Sequence, residues 1–245
     1  MRISTGAYWW RGCMGEVNQD SLTLQHATVQ GSDVLLAAVC DGIGSLTASE
    51  QAGAIAVRQL TKWFTANLLG LLATGKRCEK ELILLALQRQ VYHIQELLLK
   101  FQQKHKLITG TTLSCLLICK GYYFVVHIGD SRIYTWKKRW YLRQPKLRRI
   151  TMDDEDEKGR LTACLGVECR DPAFYDIGKV KKGTVFMLCT DGFYKGMKDT
   201  LVGRMLDPSL SYTQGEIERR LELLAGHALT CGSQDNMSAI CAFVQ

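Results

Sequence analysis

The sequence predicts an α+β fold of antiparallel sheets covered by helices. Two long stretches carry apolar residues at alternating steps of three and four, the spacing of a helix with one buried face. From Gly110 the pattern changes to short apolar runs, and Lys120-Gly121 sits between two of them as a hairpin turn. With 245 residues, three prolines, no low-complexity segment and no internal repeat, residues 1–245 read as one domain.

Residues 1–30 carry Trp9 and Trp10, then a turn-like stretch from Gly12 to Ser21 that bears Asp20. The run 34–40 reads as a buried strand stopping on Asp41-Gly42. Ser49-Glu50 opens a helix whose Ala52, Ile55, Ala56, Leu60, Trp63 and Phe64 share a face, and Gly70 to Gly75 form a break. A second helix follows, with Leu84, Leu87, Val91, Ile94, Leu98 and Phe101 as its core stripe. Strands at 110–119 and 122–128 make a hairpin, and Gly129-Asp130-Ser131-Arg132 punctuates the next strand, 133–136. After a charged stretch come a short apolar turn element at 161–166 and a strand at 184–190. A helix at 214–228, with Ile217, Leu221, Leu224 and Ala225 on one side, and a strand at 237–244 close the chain.

Lys+Arg 31 against Asp+Glu 24 gives +7, a moderate excess that draws anionic partners weakly and forms no obvious nucleic-acid face. Much of it is local. Lys137, Lys138, Arg139, Arg143, Lys146, Arg148 and Arg149 precede Asp153, Asp154, Glu155, Asp156 and Glu157, as in a solvated hairpin and its exit. The ten cysteines are scattered and mostly embedded in apolar runs, without C-x-x-C pairs, which argues against a disulfide framework or a zinc ribbon. No apolar signal core opens the chain and no stretch is long enough to span a bilayer, so a cytoplasmic protein without membrane contact is expected.

Three predicted strands end on, or begin just after, an aspartate: Asp41, Asp191 and Asp235. If those ends converge, the carboxylates oppose one another's ionisation and require a cation.

Asn18-Gln19-Asp20, Asp41-Gly42-Ile43-Gly44, Gly110-Thr111-Thr112, Gly129-Asp130-Ser131-Arg132, Leu161-Thr162-x-x-Leu165-Gly166, Asp191-Gly192 and Asp235-Asn236 follow one another along nearly the whole chain. Each motif is weak alone, but their order resembles the metal-dependent protein phosphatases of the type 2C serine/threonine family, in a bacterial-like form. The resemblance implies a four-layer α-β-β-α sandwich with a metal site at one edge of the paired sheets. By position, Asp41, Asp191 and Asp235 would hold one Mn²⁺ or Mg²⁺. Asp41 would bridge to a second ion, which also takes the Gly42 carbonyl and, through water, Asp20. Asp130 matches a position that some bacterial relatives use with Asp191 for a third ion. Cations roughly 3.5–4 Å apart lower the pKa of a bridging water and neutralise the phosphoryl oxygens it attacks, so no cysteine or serine nucleophile is needed.

The sequence departs from the family pattern at several places. Gly15 stands where relatives place a phosphate-binding arginine, leaving Arg11 as the nearest substitute. Gln19 replaces a glutamate, Ser45 a glycine, and Ile43 a histidine proposed as general acid in eukaryotic members. Bacterial relatives insert a mobile flap between Thr151 and Leu161, where this sequence keeps only a short polar stretch; the chain is therefore expected to lack the flap and leave the metal edge open, with the basic stretch 137–149 helping to dock an acidic phosphoprotein.

Two rival readings stand beside this one. Cys164 to Arg170 fits C-x5-R, the spacing of cysteine-dependent phosphatases, although the preceding residue is Ala163 rather than histidine. The loss of the arginine also admits a pseudophosphatase that binds a phosphoprotein or kinase without turnover. The expected partner is a phosphorylated protein, the substrate of a serine/threonine kinase, and the two helices, each burying one face, call for no dimer.

Overall fold

The structure, a computed structural model, describes residues 1–13, 16–74, 79–137, 147–167 and 173–245. Its strands are β1 (Ile3–Trp10), β2 (Asp20–Val29), β3 (Ser32–Asp41), β4 (Leu113–Cys119), β5 (Tyr122–Ile128), β6 (Arg132–Lys137), β7 (Arg148–Arg149), β8 (Phe174–Lys179), β9 (Thr184–Cys189) and β10 (Met237–Val244). The helices are α1 (Ser49–Trp63), α2 (Leu69–Ala73), α3 (Lys80–His105), α4 (Asp191–Tyr194), α5 (Asp199–Met205) and α6 (Gln214–Thr230). One sheet has the order β1-β10-β9-β6-β7 and the other β2-β3-β4-β5-β8, with every pairing antiparallel.

Period two explains how the sheets stack. In β3, Val34, Leu36, Ala38 and Cys40 face α1 and α3, while Leu35, Ala37 and Val39 face the other sheet. In β9, Val185, Met187 and Cys189 face α6, and Phe186 and Leu188 meet the inner faces of β3 and β4. Strands apolar on both faces therefore sit centrally, and helices close the two outer faces. The four-layer α-β-β-α sandwich is observed. Among the described residues no helix is long and apolar enough to cross a membrane.

Three expectations need correction. β1, β2 and β8 are strands that the apolar-run criterion does not find, because each is a sheet edge with few fully buried positions. The first helix does not stop at Gly70: a π-helical turn at Phe64–Leu68 carries it into α2, and residues 75–78 of the expected break lie outside the described residues. In α3 the buried stripe is Ile83, Leu87, Val91, Ile94 and Leu98; Leu84 and Phe101 are only partly covered. Ile83 leads that register because steps of four, four, three and four keep one face continuous. The element at 161–166 forms no strand, but Leu165 bridges to Thr111 beside the strand ends.

Leu36 is fully buried in the helix-facing core. Leu36→Ala should lower unfolding free energy by about 2–5 kcal/mol in a denaturant titration, whereas Leu223→Ala, on an exposed face of α6, should change it by less than about 0.5 kcal/mol.

Candidate metal centre

The register of β2 against β3 sets Asp20 directly opposite Asp41. Across the sandwich, β9 ends just before Asp191 and β10 begins just after Asp235, and these two strands are neighbours. Side-chain bonds tie the two edges together. Thr190 Oγ1 donates to Asp20 Oδ2 at 2.8 Å and accepts from the Ser238 amide at 3.0 Å. Asn236 Oδ1 accepts from the Gln19 amide at 2.8 Å, and its Nδ2 donates to the Arg11 carbonyl. On the other side, the Asp41 amide donates to Thr112 Oγ1 at 2.9 Å and its carbonyl accepts from the Thr112 amide at 2.8 Å. Gly192 is required by space, since a Cβ there would lie 2.1 Å from the Asn236 carbonyl oxygen. A Cβ at Gly42 would meet the Ser49 backbone at 2.8 Å.

All the sequence-predicted acids are thereby gathered. Asp20 and Asp130 are buried, Asp41 and Asp191 are half-buried, and Asp235 sits at the exposed rim with its Oδ1 accepting from the Asn236 amide at 2.7 Å. Burial pushes Asp20 up to about 7, helped by the charges of Asp191 and Asp235 and opposed by the Thr190 and Ser238 hydroxyls. The Ser238 hydroxyl is near enough to favour the ionised form but lies outside hydrogen-bond geometry, so Asp20 Oδ1 has no donor. Asp41 is raised well above an ordinary carboxylate, first by burial among protein atoms and then by Asp20, Asp191 and Asp130; its carboxyl comes within hydrogen-bond reach of Asp191. Asp130 is pushed up to about 6 by burial and by Asp191, with Lys195 acting against the rise, and its Oδ1 is also buried without a partner.

Two orphaned buried carboxylate oxygens and a set of hard oxygen donors fit Mg²⁺ or Mn²⁺. Among the described residues the His, Cys, Asp and Glu side chains do not already close into a three-ligand cage. Asp191 Oδ2 is instead bonded to Lys195 Nζ at 2.5 Å.

The flanking segment 152–160 is fastened in place. Asp153 holds Arg132 through Nε–Oδ1 at 3.0 Å and Nη2–Oδ2 at 2.6 Å, and Arg132 stacks 3.7 Å over the Tyr194 ring. The Gly129 amide donates to Asp154 Oδ2 at 2.8 Å, and His127 Nε2 donates to the Met152 carbonyl at 2.9 Å. Arg132, Asp153, Thr190, Asn236 and Lys195 carry these contacts and were given no role by the sequence. Asn236 and Arg132 lie inside recognised motifs, but only the pairing of distant strands reveals what they hold.

Other expectations fare differently. Gly15 and the basic residues Lys138, Arg139, Arg143 and Lys146 lie outside the described residues. Arg11 Nη1 donates to the Glu16 carbonyl at 3.0 Å. Lys137 ends β6 at the opposite end from Arg132, roughly 16 Å away by strand rise, so that part of the basic stretch stands back from the carboxylates. Arg149 is engaged with Asp153 at 2.9 Å. Cys164 is buried, and Cys169 and Arg170 of the C-x5-R match lie outside the described residues.

The protein phosphatase 2C family model matches residues 13–225. The chain belongs to this family and is a metal-dependent protein phosphatase. No curated protein matches the sequence significantly. Among solved structures, the serine/threonine phosphatase Stp1 from Staphylococcus aureus superposes with a TM-score of 0.78 at 20% identity, covering 100% of this chain and 96% of that one. The Mycobacterium tuberculosis serine/threonine phosphatase PstP/Ppp gives 0.74 at 22% identity, covering 99% of each chain. The catalytic domain of PstP in complex with two manganese ions gives 0.73 at 24% identity, again covering 99% of each.

Because the folded-state pKa values of Asp130 and Asp20 are raised to about 6 and about 7, the metal-free protein loses their contribution to stability as pH rises through those values, and Asp41, also raised, acts in the same direction. A divalent ion relieves that repulsion only once the acids are ionised. Mn²⁺ should therefore raise Tm more at about pH 8 than at about pH 5.5. His127, lowered from 6.5 by burial, titrates in the opposite sense but equally with and without metal. Equal Mn²⁺ shifts at both pH values in a thermal-melt comparison would refute the carboxylate account.

Proposed function

We propose that residues 1–245 form one catalytic domain that dephosphorylates phosphoserine and phosphothreonine in the protein substrates of a serine/threonine kinase, as a cytoplasmic monomer. The observation that carries the reading is the gathering of Asp20, Asp41, Asp130, Asp191 and Asp235 at the ends of strands from both sheets, with two buried carboxylate oxygens lacking donors.

In this reading Asp41, Asp191 and Asp235 would hold one cation, and Asp41, the Gly42 carbonyl and Asp20 would hold another. The chemistry such ions would supply is acidification of water and neutralisation of phosphoryl charge. The protein's part is to fix its acids against their own repulsion. Thr112 pins the Asp41 backbone, Thr190 orients Asp20, and Asn236 locks the Asp235 turn to the segment before β2. The buried thiols Cys40, Cys189 and Cys241 are pushed up by burial, far from a thiolate nucleophile's range. Ile43 brings no proton donor, so the leaving alkoxide takes its proton from solvent at the rim beside Asp235.

Phosphate binding falls to Arg11. One of its guanidinium nitrogens is used on Glu16, and its carbonyl is anchored by Asn236 next to Asp235. The remaining donors of the planar fork are suited to a phosphate.

Wild-type protein should hydrolyse p-nitrophenyl phosphate and a phosphothreonine peptide with Mn²⁺. Chelator and Asp191→Asn should each reduce the rate at least about 100-fold, the loss typical of a removed electrostatic group. A folded wild-type protein that binds Mn²⁺ by calorimetry yet turns over neither substrate would favour a phosphoprotein-binding module. Arg11→Ala should raise KM for the peptide about tenfold with kcat less affected, and Gly15→Arg should restore it. An unchanged KM in Arg11→Ala would show that another group holds the phosphate.

A further inference from the structure

The link after β9 places one lysine against the carboxylates. The turn α4 sets Lys195 four residues after Asp191, on the same face, and the Lys195 amide donates to the Asp191 carbonyl at 2.8 Å. Its Nζ lies 2.5 Å from Asp191 Oδ2. The same turn presents Tyr194, whose hydroxyl donates to the Asp130 carbonyl at 3.1 Å, so the link that carries Asp130 is fastened to the turn that carries Lys195. Asp130 is buried, with Oδ1 lacking any donor, and the charge of Glu155, in the 152–160 segment, acts on both Asp130 and Lys195.

We infer that Lys195 is a tethered cation which occupies, among Asp191, Asp130 and Glu155, the position that a third divalent ion would need, and so limits this centre to two. The inference rests on the two-cation reading above. A lysine ammonium has three donors and no acceptor, so it serves carboxylates but ligates no metal. A divalent ion shared by Asp130 and Asp191 would stand beside that ammonium, and like charges at such range repel strongly. Burial works against the charged lysine, but Asp191, Asp130 and Glu155 more than offset it. The lysine supplies one positive charge where an ion would supply two, and it does so at any metal concentration. The outer acids are therefore partly neutralised without metal, and Asp191 keeps its place while the inner ions exchange.

The test is Mn²⁺ uptake by the full chain, counted by calorimetry and by equilibrium dialysis up to millimolar metal. Wild type and Lys195→Arg, which keeps the charge, should take up the same number of ions. Lys195→Ala should take up one more per chain, and that extra ion should vanish in Lys195→Ala/Asp130→Asn. Lys195's side chain is 58% exposed, so its removal leaves the core intact. An unchanged count in Lys195→Ala, or three ions in the wild type, would overturn the inference. So would a raised KM for a phosphothreonine peptide at an unchanged count, which would make Lys195 a phosphate ligand instead. Peptide turnover by the wild type separates the two readings: a chain that gains the extra ion in Lys195→Ala but hydrolyses nothing retains the tethered cation and loses the phosphatase mechanism.

Discussion

The constraint on which the rest of this structure depends is the mutual repulsion of acids brought to one edge of a β-sandwich. Carboxylates at such range do not remain ionised together in a poorly solvated setting. Burial first, and then the charges of their neighbours, raise the pKa values of Asp20, Asp41 and Asp130. Almost every polar contact nearby bears on this problem. Threonines at 112 and 190, asparagine at 236 and glycines at 42 and 192 fix backbone and side chains so that the acids neither turn outward nor drift apart. The core beneath does the same on a larger scale. With Leu35, Ala37 and Val39 facing Phe186, Leu188 and Ile240, the sheets stack with their strand ends level.

A cluster assembled this way draws its acids and their supports from residues nearly the whole chain apart. The Gln19 amide bonds to Asn236 over 217 positions, and Thr190 reaches Asp20 over 170. No local segment can form the site alone, since its members meet only where both sheets have paired. An ion held by acids from both sheets would hold those sheets together and so link metal affinity to fold stability.

How much of this was legible in the sequence follows from where each residue sits. The central strands β3, β4, β9 and β10 are apolar on both faces, so they stand out as runs ending on, or just after, Asp41, Asp191 and Asp235. Edge strands do not stand out. β2 begins on Asp20 yet reads DSLTLQHATV, a half-solvated pattern with two fully buried positions among ten, and its pairing with β3 is a tertiary fact. The same limit applies to the polar support. Asn236 and Thr190 are ordinary turn residues until the opposite strand supplies their partners. Asp153 reads as one member of an acidic run, whereas in the folded chain it is the counter-ion of both Arg132 and Arg149. Charge runs tell little about docking surfaces for this reason: part of the charge is spent within the protein.

The short segment 152–160 bears on how such an edge meets its substrate. Its anchors are numerous for its length. Asp153 grips Arg132 in two bonds, Asp154 accepts from the Gly129 amide and returns its own amide to the Gly129 carbonyl at 2.9 Å, and the Met152 carbonyl caps His127. A segment tied at three successive residues to the hairpin that carries Asp130 has little freedom to close over a bound phosphate. Substrate therefore meets a fixed rim, and selection must come from the surfaces flanking it rather than from a closing lid. Asp154 and Glu155 add acidic charge to that rim, which Lys195 offsets only in part, so cations held at the centre would favour phosphate approach. With cations held by those acids, the metal-loaded state and the substrate-binding state would be one state.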